Sequence, residues 1–257
     1  MNFAVFNFIA SLPLGEQLLR LLFKRDYASL STSAFGIDLP HPVGLASGFD
    51  VKGSMFNALM NGGFSFVQSG PFSDKKQVLK AISHLTSKPH DGTIALHFGL
   101  KDVAIPWVDS VKFYETAFSL TYDFADIFVF STGADYEIDK VLDQRLLMEI
   151  YKPVLLSTKG KTDLDELKDI IHYALMSGID GIVVGTGSFE DTLRLTRFVV
   201  EKSAGKMPVV ASGGIYSPEQ AQQLLSEGAT LLEIGEGLMQ HGPFFTRKVL
   251  KYLNLHK

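Results

Sequence analysis

The chain has 257 residues, 46% of them apolar and 20% charged, with a formal net charge of -4 and no cysteine. Near-balanced charge without a Lys/Arg block argues against nucleic acid as a partner, and the lack of cysteine removes disulfides, thiolate catalysis and cysteine-held metal. The length suits a single (β/α)8 barrel, which takes about 250 residues, and a cytoplasmic location is the default expectation.

Residues 1–9 are mostly apolar and aromatic, without the basic start or small-residue cleavage site of a signal peptide. No apolar run reaches the roughly 18 residues of a spanning helix. Next, Leu18, Leu19, Leu22 and Phe23 recur at helical spacing and are followed by Lys24 and Arg25. Two readings are open: a helix that covers the barrel bottom, or a membrane-surface helix peripheral to the inner face of a membrane. Residues 1–30 thus form an N-terminal helical extension and residues 31–257 the barrel.

From Pro42 onward, short β-branched runs alternate with longer helical patterns, the rhythm of parallel strands joined by crossover helices. Eight strands are predicted, at residues 43–46, 64–69, 93–98, 126–131, 154–157, 181–185, 209–211 and 231–235. Most are apolar on both faces, as strands between a barrel interior and a helix layer should be. Residues 71–92 are the least patterned and read as a loop or a weak helix. Asp163 caps a helix whose stripe is Leu164, Leu167, Ile170, Ile171 and Leu175. Ser217 and Pro218 open another, which Gly228 closes. An open doubly wound sheet would use the same elements; the even spacing and the closing glycine turn favour the (β/α)8 barrel. Phe113 and Phe118, with Trp107, read as helix packing, His172 as surface, and His41 as structural in the turn before the first strand.

Ser212, Gly213 and Gly214 form a turn between a strand and the helix at Ser217. Two residues without side chains let backbone N–H groups approach an anion, and the helix start adds its field. A tight turn that binds nothing fits the residues equally well. His97, Lys159, Lys161, Asp135, Asp50 and Glu236 fall at or after strand C-terminal ends, where barrel active sites sit. Lys159 and Lys161 are near enough to swing into the mouth, or they belong to a solvated loop. The run at residues 160–162 lacks the glycine spacing of a phosphate loop. His97 with Asp50 or Asp135 would make a weak acid/base set; no histidines pair at metal spacing, and no metal is expected.

The stretch FGIDLPHPVGLASGFD at residues 35–50 resembles the opening strand of dihydroorotate dehydrogenases, above all their quinone-linked, membrane-associated class. The stretch PVVASGGI at residues 208–215, continuing to Gly242 and Pro243, resembles the last quarter of the same fold. Weaker similarity joins them through residues 93–101, 114–131 and 178–185, so the resemblance runs from about residue 12 to 253. It implies an FMN oxidoreductase of pyrimidine biosynthesis. The flavin ring would lie on Ala46, Ser47 and Gly48, and the phosphate on Ser212, Gly213, Gly214 and Gly237.

The same resemblance implies side chains that this chain lacks. A lysine expected after Asp50 is Val51, with Lys52 beside it; asparagines at strand ends read as His97, Ser131 and Thr186; a lysine beside the flavin reads as Ser157. The loop at residues 131–136 keeps no clear match to the catalytic Ser or Cys, and the long substrate loop is mostly missing. Residues 188–192 run directly into a helix where a first glycine-rich phosphate turn belongs. Glu236 stands where a hydroxyl residue is expected, and a carboxylate facing a phosphate at ~4 Å costs roughly 1 kcal/mol in water and several times that at lower dielectric. The residues therefore predict a shortened, divergent and catalytically degenerate member acting as a binding or structural protein. Two alternatives stay open: an active FMN oxidoreductase with repositioned groups, and a barrel that binds another phosphorylated ligand. A homodimer is expected from the habits of such barrels.

Overall fold

The computed structural model describes residues 3–87, 92–99, 107–131, 138–158, 160–161 and 163–257. A short antiparallel hairpin, β1 (Thr32–Ala34) and β2 (Ile37–Leu39), precedes eight parallel strands. These are β3 (Val43–Leu45), β4 (Phe66–Phe72), β5 (Thr93–Phe98), β6 (Ile127–Ser131), β7 (Val154–Ser157), β8 (Gly181–Val184), β9 (Val209–Ser212) and β10 (Leu231–Ile234). They close in chain order, β10 pairing with both β3 and β9. The helices are α1 (Phe3–Ser11), α2 (Gly15–Phe23), α3 (Phe56–Asn61), α4 (Lys75–Leu85), α5 (Trp107–Thr121), α6 (Asp139–Arg145), α7 (Leu164–Ser177), α8 (Phe189–Lys202), α9 (Pro218–Ser226), α10 (Glu236–His241) and α11 (Phe245–Leu255). The expected (β/α)8 barrel is the fold, and all eight predicted strands form within a residue or three of their expected bounds.

Strand alternation divides the apolar residues into two sets. Val43, Leu45, Val67, Ile94, Leu96, Phe128, Val154, Ile182, Val209 and Leu232 point outward and pack with the buried faces of the helices. Phe66, Ala95, Ile127, Val129, Leu155, Val183, Val210 and Leu231 point inward, where Ala34 and Leu39 of the hairpin join them. The interior is thus a packed apolar floor rather than a pore. Gly44 belongs to this arrangement, since a Cβ there would lie 2.3 Å from the Phe66 ring.

The floor is closed by the β1–β2 hairpin, not by the N-terminal helix expected there. Instead α2 runs along the barrel flank beside the short α3. Leu19, Phe23 and Phe6 are buried in that seam, with Phe23 against Phe6 and Phe244 at ring separations of 5.8 and 4.6 Å. The six-residue α3 leaves flank surface that a second helical layer covers.

Local signals explain most helices. Asp163 accepts N–H bonds from Asp165 and Glu166, and Ser217 with Gln220 makes a full capping box behind Pro218. Gly228, at φ +99°, follows the end of α9. The stripe of α7 centres on Leu167, Ile171 and Ala174, while Leu175 is exposed, one step around the helix from the seam. Within residues 71–92, expected as a loop or a weak helix, residues 75–85 form a regular helix: Asp74 caps it by accepting from Gln77 N–H at 2.9 Å. Phe118 is fully buried on α5 and His172 is exposed on α7, as expected; the side chain of Trp107 lies outside the described residues.

Candidate functional site

Register fixes which side chains meet above the apolar floor. The last inward positions are Ala46 just past β3, Gln68, His97, Ser131, Ser157, Val183, Ser212 and Glu233. Most polar members are buried: Gln68, His97, Ser157, Ser212 and Glu233 are each 5% exposed or less, while Ser131 is half-buried. This upper layer holds hydroxyls, an amide, an imidazole and one carboxylate. Among the described residues it holds no lysine, arginine or asparagine.

His97 lies between two hydroxyls, with Nδ1 3.1 Å from Ser47 Oγ and Nε2 2.8 Å from Ser131 Oγ. Both hydroxyls can donate or accept, so the direction of each bond follows the tautomer of the imidazole. Sequence spacing gave no hint of this set, because it joins strand ends 50 and 34 residues apart. Glu233 accepts from Ser212 Oγ at 2.7 Å, so the Ser212 hydroxyl points into the barrel instead of serving an external phosphate.

Asp50 organises the turn after β3. Its carboxylate accepts from Ser69 Oγ at 3.1 Å and from the N–H of Ser54 and Met55. Burial raises its pKa, and these hydrogen bonds oppose that rise. The backbone continues the clamp, with Gly48 N–H donating to Gly70 O and Gly70 N–H to Asp50 O. The hydrogen bonds of Asp50 and of His97 among the described residues go to different partners, and Asp135, the other carboxylate read as a partner for His97, lies outside the described residues. Gly48, at φ +101°, borders open space, and Val51 and Lys52 are exposed beyond it. Ala46 is buried and Ser47 half-buried at the edge of the mouth.

Lys161 pairs with Glu166 on the first turn of α7. Lys159, Asp135, Lys101 and the loop at residues 132–136 lie outside the described residues. Thr186 holds the turn into α8, accepting from Ser188 N–H at 3.0 Å.

At the glycine turn, Gly213 and Gly214 adopt φ of +90° and +71°. Gly214 N–H donates to Glu236 Oε2 at 3.3 Å. A Cβ on Gly214 would lie 2.5 Å from the backbone of Ser188, so the start of α8 packs directly on this turn. Gly237 is buried, and a Cβ there would lie 2.1 Å from Ile215 O; its lack of a side chain is a packing requirement.

No family model matches the chain. Curated relatives do. A dihydroorotate dehydrogenase (quinone) of Coxiella burnetii (strain Dugway 5J108-111) is 25% identical over 295 residues, covering 88% of this chain and 85% of that protein. One from Christiangramia forsetii is 23% identical over 314 residues, covering 97% and 92%. The chain is a divergent relative of the quinone-linked dihydroorotate dehydrogenases. The DHODH of Eimeria tenella, in a crystal structure with ferulenol, superposes with a TM-score of 0.74 at 16% identity, over 95% of this chain and 90% of that one. Its ligand-free form gives 0.75 at 17% identity. At such identity these structures speak for the dihydroorotate dehydrogenase fold.

The flavin implied by this kinship can be tested against the residues present. At the ring end, Ala46, Ser47 and the open Gly48 leave a small-residue surface that fits. At the phosphate end the fit fails. A carboxylate accepts the turn's N–H, the start of α8 covers its other side, and the Ser212 hydroxyl faces inward.

Proposed function

We propose that this dihydroorotate dehydrogenase-like barrel does not oxidise dihydroorotate and acts through binding. One observation carries the reading: the inward positions at the strand ends present Ala46, Gln68, His97, Ser131, Ser157, Val183, Ser212 and Glu233. A planar anionic substrate and a reducing flavin both call for fixed positive charge, since stabilising developing anions is the largest catalytic contribution in such sites. Neutral hydroxyls and a buried carboxylate supply none. His97 is the residue suited to general-base work, but it is enclosed by its two serine partners. The test is dihydroorotate oxidation by purified protein supplemented with FMN and a quinone acceptor. We expect no turnover above the protein-free rate. Saturable turnover that His97→Ala abolishes would overturn the reading.

We propose in addition that the α1–α2 pair rests on a membrane surface. Phe8, Leu14 and Leu21 are more than 60% exposed there, beside exposed Arg20, Lys24 and Arg25. An apolar face with basic residues at its rim suits an anionic bilayer surface. Among the described residues no helix is long and apolar enough to cross a membrane.

A further inference from the structure

We propose that Glu236 is the resident anion of the Gly213–Gly214 turn, closing that end of the barrel mouth to phosphate esters. The inference deepens the reading above and rests on it for the lineage of the turn. Both glycines hold positive φ, and neither has room for a side chain: Cβ atoms would lie 2.5 Å from Thr186 O and 2.5 Å from Ser188 C. The turn is built to present backbone rather than side chains. What it presents backbone to is the Glu236 carboxylate. Oε2 accepts from Gly214 N–H at 3.3 Å, and Oε1 lies 3.3 Å from where a Gly213 Cβ would stand. The carboxylate therefore spans both glycines.

Carboxylate and phosphate are both anions whose unprotonated oxygens accept hydrogen bonds, so they compete for one donor set. The carboxylate has two advantages. It is tethered 22 residues downstream in a rigid strand-to-helix turn, and a tethered group competes at an effective concentration in the millimolar range or above. It also repels a second anion at contact distance. Among the described residues no salt bridge to Glu236 is made. A side chain of this chain thus holds the turn in the way a ligand phosphate would.

Inorganic phosphate is the direct probe, because it engages the turn and not the flavin-ring end. It should be titrated into wild type, Glu236→Gln and Glu236→Ser while the Gly213 and Gly214 amide resonances are followed. The expected result is no saturable shift in wild type at millimolar phosphate. Glu236→Ser should bind at least tenfold more tightly, with Glu236→Gln between the two. Equal affinity in wild type and Glu236→Ser would overturn the proposal, as would no gain in either folded variant. If Glu236→Ser does not fold, Glu236→Gln decides alone, since it keeps the shape and loses the charge. The outcome is independent of dihydroorotate turnover, so either proposal can fail without the other.

Discussion

His41 lies in the turn before β3 with 5% of its surface exposed, accepting from Val43 N–H at 3.3 Å through Nδ1. Burial pushes its pKa down from 6.5 to about 4, against a backbone hydrogen bond at Gly63 and with help from Lys24. Between these values the unfolded chain takes up a proton that the folded chain refuses. Stability should therefore fall as pH drops from 6.5 to 4, by about 3 kcal/mol in all from this one group. Asp50 acts with the opposite sign, because its raised pKa lets the folded state keep a proton that the unfolded state has lost. The measurement is thus a difference: urea unfolding of wild type and His41→Asn across that range, Asp50 being common to both. The variant should lose most of the acid slope; parallel curves would contradict the assignment. The sequence placed His41 as structural but could not give its titration, which depends on burial. Glu236 was legible, because one residue's departure from a known turn pattern names both the place and the charge. The Ser47–His97–Ser131 set was not, because barrel register creates it.

Among the elements, helix ends were legible wherever capping chemistry stood in the sequence. Asp163 and Ser217 announced α7 and α9. Asp74 with Gln77 carried the same signal for α4, and the weakly apolar run beyond it masked the cap. The amphipathic N-terminal stretch was recognised, but its docking surface was not. Leu19 and Phe23 face α3, and the floor that seemed to need a helix is filled by the β1–β2 hairpin. That docking leaves Leu18 and Leu21 exposed at 42% and 71% on the opposite side. We predict that the protein co-sediments with vesicles containing anionic phospholipid. Leu14→Ser with Leu21→Ser should reduce the bound fraction severalfold, each buried apolar side chain contributing about 1.5–3 kcal/mol. Protein that stays in the supernatant at low salt would contradict this role for α1 and α2.

Across the whole molecule, the fold was legible because eight buried strands and their crossover helices leave a strong rhythm, and because residues 35–50 and 208–215 keep a family pattern. Of the side chains that the resemblance implies, the sequence showed mainly which are missing. Which ones stand at the barrel mouth depends on which side chains face inward, a property of the closed barrel that no single strand shows. The interior is apolar at the floor and hydroxyl-rich above, and the Gly213–Gly214 turn holds a carboxylate. Sites rather than folds carry function, and here the dihydroorotate dehydrogenase fold persists around a different set of groups. The measurement that tests this most directly is the visible absorption spectrum of purified protein, before and after incubation with FMN and removal of the excess. The account predicts no flavin bands in either state. Bands that survive gel filtration would contradict it and return the barrel to the flavin oxidoreductases.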